Sequence, residues 1–201
     1  MLKKRYSDDR LIECGCDEAG RGCLAGPVVA AAVVLPPSYD NPLLNDSKQL
    51  TAHKRDLLRK EIEQVATAWA VVMLSNEDID RLNILRASLH AMNLAVQQLT
   101  LKPDLLLIDG NRFYDECGIP YHCIVKGDAT YMSIAAASIL AKTHRDEYMT
   151  RLDAEYPLYG WSKNKGYPTK QHYEALQQYG PTPYHRHSFR LLPDPTLDFG
   201  E

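Results

Sequence analysis

Four carboxylates stand where apolar segments run out. Asp17 closes the stretch from Leu11 and is followed by Glu18. Asp109 follows Leu105 to Ile108, and Asp128 follows Tyr121 to Val125 across Lys126-Gly127. In open α/β sheets, sites assemble just outside the carboxyl ends of strands. Carboxylates gathered at such an edge repel one another unless a cation joins them, and hard oxygen donors suit Mg²⁺ or Mn²⁺. Two such ions ~3.5–4 Å apart can activate a water and stabilise the leaving oxygen of a phosphodiester. A strand-end acid on its own more often caps a turn. Four together, with two adjacent and a glycine-rich turn beside them, read as a metal site. Successive strand side chains point to opposite faces. Asp17 and Glu18 are therefore expected to share a metal only if Asp17 ends its strand and Glu18 opens the turn. Asp46, Asp104 and Asp115 close no comparable apolar run and read as turn formers and solvated charges.

The turn after Glu18 is Gly20-Arg21-Gly22, with Gly26 beyond it. It offers flexible backbone amides and one guanidinium next to the metals, a combination that holds a backbone phosphate. The plainer reading is a tight turn with a solvated arginine. Between residues 160 and 190, Lys163, Lys165, Lys170, Arg186 and Arg190 face one acid, Glu174, and tyrosines and Trp161 are interleaved. Bases with aromatics suit a nucleic-acid strand, although most of these rings are expected to pack on the domain. Tyr167, between Gly166 and Pro168, is the one a turn would expose. The glycines are not a dinucleotide fingerprint, because Pro27 and a Val/Ala strand follow where a helix is needed. His185-x-His187 could bind a metal but reads more simply as part of a polar tail.

The elements that must position these groups can be read from periodicity. Leu11–Asp17 and Val28–Leu35 predict two consecutive strands, and the second, nearly all Val and Ala, predicts one covered on both faces. Thr51 caps an expected helix to about Gln64, with Leu57, Leu58, Ile62 and Val65 on its buried face. A strand at 67–74, a short helix at 76–81 and a helix carrying the stripe Leu85, Leu89, Met92, Val96 and Leu99 follow. Strands at 104–109 and 121–125, a long helix at 130–153 with a small-residue first half, and a helix at 169–179 complete the pattern. The expectation is one α/β domain over residues 1–201: a core of about 1–155 and a loop-rich C-terminal appendage of about 156–201.

Composition sets bounds. The chain has 201 residues, about a quarter of them charged, and a net charge of −3. A nucleic-acid partner must then be met by a local patch rather than a global basic field. Cys14, Cys16, Cys23, Cys117 and Cys123 are odd in number and lack Cys-x-x-Cys spacing. They read as reduced thiols of a cytoplasmic protein. The polar start, Met1 to Arg10, is no signal peptide, and no apolar run approaches the ~20 residues of a membrane span.

With these residues in hand, the chain resembles ribonuclease HII, the bacterial type 2 ribonuclease H. The resemblance runs through Asp17-Glu-Ala-Gly-Arg-Gly22, Leu24-Ala-Gly-Pro-Val-Val, Asn45-Asp-Ser-Lys48, Leu82-Asn-Ile-Leu85 and Leu107-Ile-Asp-Gly-Asn111. It continues through Val125-Lys-Gly-Asp128, Ala135-Ala-Ala-Ser-Ile-Leu-Ala-Lys142 and Lys165-Gly-Tyr-Pro-Thr169. It implies a ribonuclease H-like fold, a central mixed β-sheet flanked by helices with a C-terminal helical part. It implies endonucleolytic cleavage of RNA in RNA–DNA hybrids and at single ribonucleotides in duplex DNA, leaving 3′-hydroxyl and 5′-phosphate ends. The family's metal-binding acids fall on Asp17, Glu18, Asp109 and Asp128. Its 2′-hydroxyl contact falls on Gly20, Arg21 and Gly22, its junction-sensing tyrosine on Tyr167, and a lysine near the substrate backbone on Lys48.

The expected mechanism has Asp17 bridging two ions, Glu18 and Asp109 completing one, and Asp128 the other. The expected assembly is a monomer, and a replication clamp recruiting the tail Pro195–Glu201 stays open. Two positions depart from the family pattern. Cys23 stands where proline is usual and reads as outside the chemistry. His187 stands where a second arginine is usual and is expected to weaken a phosphate contact or make it depend on pH. Two other readings remain: a hybrid-binding protein without catalysis, and a nuclease of the same fold acting on DNA junctions.

Overall fold

The Val/Ala run becomes strand β2 (Val28–Val34), buried at every position. It pairs antiparallel with β1 (Glu13–Ala19) on one side and with β3 (Ala68–Leu74) on the other. β1 also pairs in parallel with β4 (Leu105–Asp109), and β4 with β5 (Tyr121–Ile124), giving the order β3-β2-β1-β4-β5. The computed structural model describes residues 2–7, 10–44 and 50–192. The two central strands therefore bring the carboxyl ends of β1 and β4 to the same edge.

Two strands differ from expectation. β1 does not stop at Asp17 but continues through Glu18 to Ala19, because Ala30 and Val29 of β2 remain in register to pair with them. β5 is not an apolar buried strand. Tyr121 and His122 are exposed, as at a sheet edge, and Val125 lies outside the strand, 68% exposed.

Helix α3 (Ile84–Gln97) covers one face of the sheet, where Leu89, Met92 and Val96 pack on Cys14, Cys16, Ala30, Ala32, Leu106 and Ile108. Helix α4 (Met132–Glu155) covers the other face, its alanines 135–137 and Ile139 packing with Ala31 and Val33. The approach is close enough that a Cβ on Gly15 would lie 2.2 Å from the Ser133 carbonyl carbon. A glycine in the central strand and small side chains on the helix are two halves of one contact.

Helix α1 (Ala52–Val65), capped by Thr51, buries Leu58 and Ile62 while Leu57 and Val65 stay exposed. Its apolar stripe is narrower than predicted because α1 packs along α4 rather than across the sheet. Helix α2 (Asn76–Leu82) starts with a reciprocal capping box between Ser75 and Asp78.

Beyond α4 come a 3₁₀ turn at 157–159, the short helix α5 (Trp161–Asn164) and α6 (Lys170–Tyr179). Tyr159, Trp161 and Leu176 pack with Leu24, Ala25, Met149 and Leu152, so the appendage shares a core with the loop after β1. Backbone bonds join the same parts: Leu24 N to Gly166 O at 2.8 Å, Gly26 N to Tyr184 O at 2.9 Å, and Arg186 N to Leu24 O at 2.9 Å. No helix among the described residues is long and apolar enough to cross a membrane.

Candidate active site

Strand alternation puts Asp17 on the α4 face, with Gly15, and Glu18 on the α3 face, with Cys16. The expectation that the two could share a site only if Asp17 ended its strand is corrected: β1 runs on to Ala19, yet both acids line one cleft at the sheet edge, with Asp109, the last residue of β4, beside them. Asp17 is only 6% exposed, and its Oδ1 accepts the Glu18 amide at 2.7 Å. Burial holds the Asp17 carboxyl well above the usual carboxylate range, and the charges of Glu18 and Asp109 push the same way. Burial also raises Glu18, opposed by Arg21, whose Nη1 lies 3.1 Å from Glu18 Oε1.

Asp109 Oδ1 accepts the amides of Gly127 at 2.7 Å and Asp128 at 3.3 Å. That bond shapes the turn carrying Asp128, which is itself buried. A Cβ on Gly127 would meet Ile134 Cδ1 at 2.6 Å and Asp109 Oδ1 at 3.2 Å, so a side chain there would press on both. Asp128 is thus tied to Asp109 through the backbone, while the open cleft is lined by the other three acids.

That cleft, about 310 Å³, is lined by Asp17, Glu18 and Asp109 with Gly20, Arg21 and Gly22, and by Ser138, Lys142 and Tyr167. Among the described residues, no group of three or more His, Cys, Asp or Glu side chains is already drawn into a metal-holding cluster. The donor set still fits a hard cation. It is all oxygen, and the charges of Glu18 and Asp109 raise Asp17 while that of Asp109 raises Glu18, a repulsion that a divalent ion would relieve.

The loop behind the cleft is fastened by two buried arginines. Arg186 donates to four backbone carbonyls: Nε to Gly26 at 3.0 Å, Nη1 to Arg21 at 2.9 Å, and Nη2 to Gly20 at 2.7 Å and Pro27 at 3.1 Å. Arg145 donates to Pro27 at 2.9 Å, Lys165 at 2.8 Å and Ala25 at 3.1 Å. The reading of Arg186 as a phosphate-facing base is therefore corrected. It is fully buried, and burial lowers its pKa to about 10, leaving it charged at neutral pH. Lys165 is also engaged, its Nζ 2.7 Å from Thr150 Oγ1. Lys163, Lys170 and Arg190 remain exposed.

The two glycines flanking Arg21 differ. Gly20 has φ +93°, and a Cβ there would lie 2.0 Å from Arg145 Nε. Gly22 has an ordinary φ and nothing within 4 Å of where a Cβ would stand, so protein packing does not demand glycine.

Tyr167 is 41% exposed, with Arg145 6.0 Å from its ring centre, and it borders the cleft. Cys23, expected to lie outside the chemistry, sits buried against the Tyr167 hydroxyl. Burial raises the thiol, while Arg145, Arg186 and Tyr167 pull it down. Tyr159 and Trp161 are buried, as expected for rings that pack on the domain. His185 is not part of a polar tail. It is fully buried, 3.1 Å from His172. His187 is exposed, and its amide and that of Ser188 donate to the Asp80 carboxylate, both at 2.9 Å. Lys48 and the tail from 193 to 201 lie outside the described residues.

Sequence reading missed Ser138 and Lys142, although both lie in the quoted Ala135–Lys142 motif. Their spacing of four on one helix was the available signal. Arg145, one turn further and buried, carried no such signal.

The family profile for Ribonuclease HII matches residues 14–192. The ribonuclease HII of Bacteroides thetaiotaomicron is 61% identical over 193 residues, covering 96% of each chain. The crystal structure of ribonuclease H2 from Pyrococcus horikoshii superposes with a TM-score of 0.76 at 26% identity, covering 89% of this chain and 94% of that one. Ribonuclease HII of Archaeoglobus fulgidus, solved as a PCNA:RNase HII complex, gives 0.73 at 25% identity, covering 92% and 98%. The five-stranded mixed sheet, the acids at its edge and these likenesses agree: the chain belongs to the ribonuclease HII family and is a metal-dependent ribonuclease H, an endonuclease acting on the RNA of RNA–DNA hybrids.

Proposed function

We propose that this cleft also nicks duplex DNA on the 5′ side of a single embedded ribonucleotide, leaving 3′-hydroxyl and 5′-phosphate ends. The carrying observation is that Asp17, Glu18 and Asp109 share one cleft with Gly20-Arg21-Gly22 and Tyr167. The acids, with Asp128 behind Asp109, would hold Mg²⁺ or Mn²⁺. A pair of such ions bound there would lower the pKa of an attacking water and offset charge on the departing oxygen. Arg21, half exposed and anchored to Glu18, presents its guanidinium beside the scissile phosphate. The Gly20–Gly22 backbone meets the 2′-hydroxyl, the group that separates RNA from DNA. Tyr167 packs against the sugar that follows. Lys48 contacts the substrate backbone.

Unpaired cysteines at 14, 16, 23, 117 and 123 suit a reducing compartment such as the cytoplasm. The protein acts as a monomer, and a sliding clamp is its candidate partner by analogy with the Archaeoglobus fulgidus complex. The test is cleavage of a duplex with one ribonucleotide beside an RNA/DNA hybrid, with Mg²⁺, Mn²⁺ or chelator. Metal-dependent nicking 5′ of the ribonucleotide is expected. Cleavage of the hybrid alone overturns the junction-reading role of Arg21 and Tyr167.

A further inference from the structure

Behind Tyr167, two fully buried histidines are joined ring to ring. Their protonation is dictated by their partners. The Thr182 amide donates to His185 Nδ1 at 2.9 Å, so the His185 proton sits on Nε2. That Nε2–H points at His172 Nε2, 3.1 Å away, whose one lone pair it shares with the Trp161 indole N–H, also at 3.1 Å. The His172 proton is then on Nδ1, where it donates to the Tyr167 carbonyl at 3.0 Å. A one-way chain of donors runs from Thr182 through both rings to the backbone of Tyr167. Asn76 Nδ2 anchors its start by donating to the carbonyls of Pro183 at 2.9 Å and His185 at 3.2 Å.

The next residue along, Arg186, grips the opposite arm, the carbonyls of Gly20, Arg21, Gly26 and Pro27. His185, acting through His172, and Arg186 therefore hold the tyrosine and the glycine turn, from behind and without lining the cleft. We propose that His172 and His185, with Arg186, are positioning residues for specificity: they set Tyr167 against the Gly20–Gly22 turn, so that selection of an embedded ribonucleotide depends on groups that do not touch the substrate. The inference rests on the proposed junction-reading roles of Tyr167 and Gly20–Gly22.

The test compares kcat/KM on a single-ribonucleotide duplex with kcat/KM on an RNA/DNA hybrid, for wild type, Tyr167→Ala, His172→Phe and His172→Asn. A Tyr167 displaced by ~1 Å is expected to lower the ratio about tenfold or more in His172→Phe, as in Tyr167→Ala. His172→Asn, whose amide can still donate to the Tyr167 carbonyl, is expected to restore most of it. A merely structural histidine would lower both activities in parallel. A Tyr167→Ala enzyme with unchanged ratio overturns the reading of Tyr167 and the inference with it. A changed ratio in Tyr167→Ala with a wild-type ratio in His172→Phe overturns the inference alone. Ring-nitrogen NMR of the wild-type protein tests the donor chain on which the proposal stands even if the variants fail to fold. A proton on His172 Nδ1 and on His185 Nε2 is expected, and the reverse tautomers overturn the proposal.

Discussion

Asp109 does two things that one substitution can separate. Its Oδ1 shapes the 127–128 turn by accepting two amides, and its charge adds to the repulsion at the strand ends. Asp109→Asn keeps an oxygen for the turn and removes the charge. It is expected to cut hybrid cleavage by roughly 10²-fold or more while leaving the melting temperature close to wild type. An active, folded variant would sink the metal assignment. Gly20 and Gly22 look equivalent in sequence and are not. Gly20→Ala collides with Arg145 at a left-handed φ and is expected to cost ~1–3 kcal/mol, seen as a lower melting temperature. Gly22→Ala meets open space, so its stability is expected to stay near wild type. If substrate backbone approaches there, KM rises instead. A pair of glycines thus separates folding from binding, which the motif Gly-Arg-Gly by itself could not show.

Among the elements, the pairing of β1 with α4 carries the site, since Asp17 and Ser138 are held by it. The alanines of α4 announced a close approach in sequence. Their partner Gly15, inside Cys14-Gly-Cys16, carried no periodic signal. Gly15→Ala would press a methyl into the Ser133 backbone and is expected to cost at least ~1–3 kcal/mol by denaturant unfolding. An unchanged midpoint would refute the packing. The buried histidines between α6 and the C-terminal loop give a second check. Burial depresses His172, and it lowers His185 to about 4 with His172 adding to the effect. The unfolded chain takes up these protons near ~6.5 and the folded chain only at lower pH. Their contribution is therefore fully present above pH ~6.5 and is lost as pH falls towards ~4. Melting temperatures over pH 4–7 should show this slope, and His185→Gln should flatten it.

For the whole molecule, stability and activity pull against each other at the strand ends. Three carboxylates cluster there, and Asp17 is forced above its normal pKa chiefly by burial. Asp17→Asn is expected to raise the melting temperature of the metal-free protein while abolishing cleavage. Adding Mg²⁺ or Mn²⁺ near neutral pH should raise the wild-type melting temperature and not that of Asp17→Asn. Equal shifts in both would argue against binding at this site. The acids, the Gly-Arg-Gly turn, and the strands and helices were legible from the residues, while the mixed sheet came only with the family resemblance. Their signals are local: apolar runs ending in carboxylates, glycines that break a chain, and periods of two or near four. What only the tertiary structure decided is which charges face outwards. Arg186 and Lys165 read as bases for a phosphate, and folding spends them on carbonyls and on Thr150. His185 read as tail and became half of a buried pair, and Cys23 read as outside the chemistry and abuts Tyr167. The reason is that the fate of a polar side chain depends on partners from other elements: the carbonyls of 20–27 reach Arg186 from the far end of the chain, and Thr150 and His172 reach Lys165 and His185 from neighbouring helices. Sequence pattern reports the chain's neighbours along its length, and those partners meet only once the sheet and α4 have closed on the appendage.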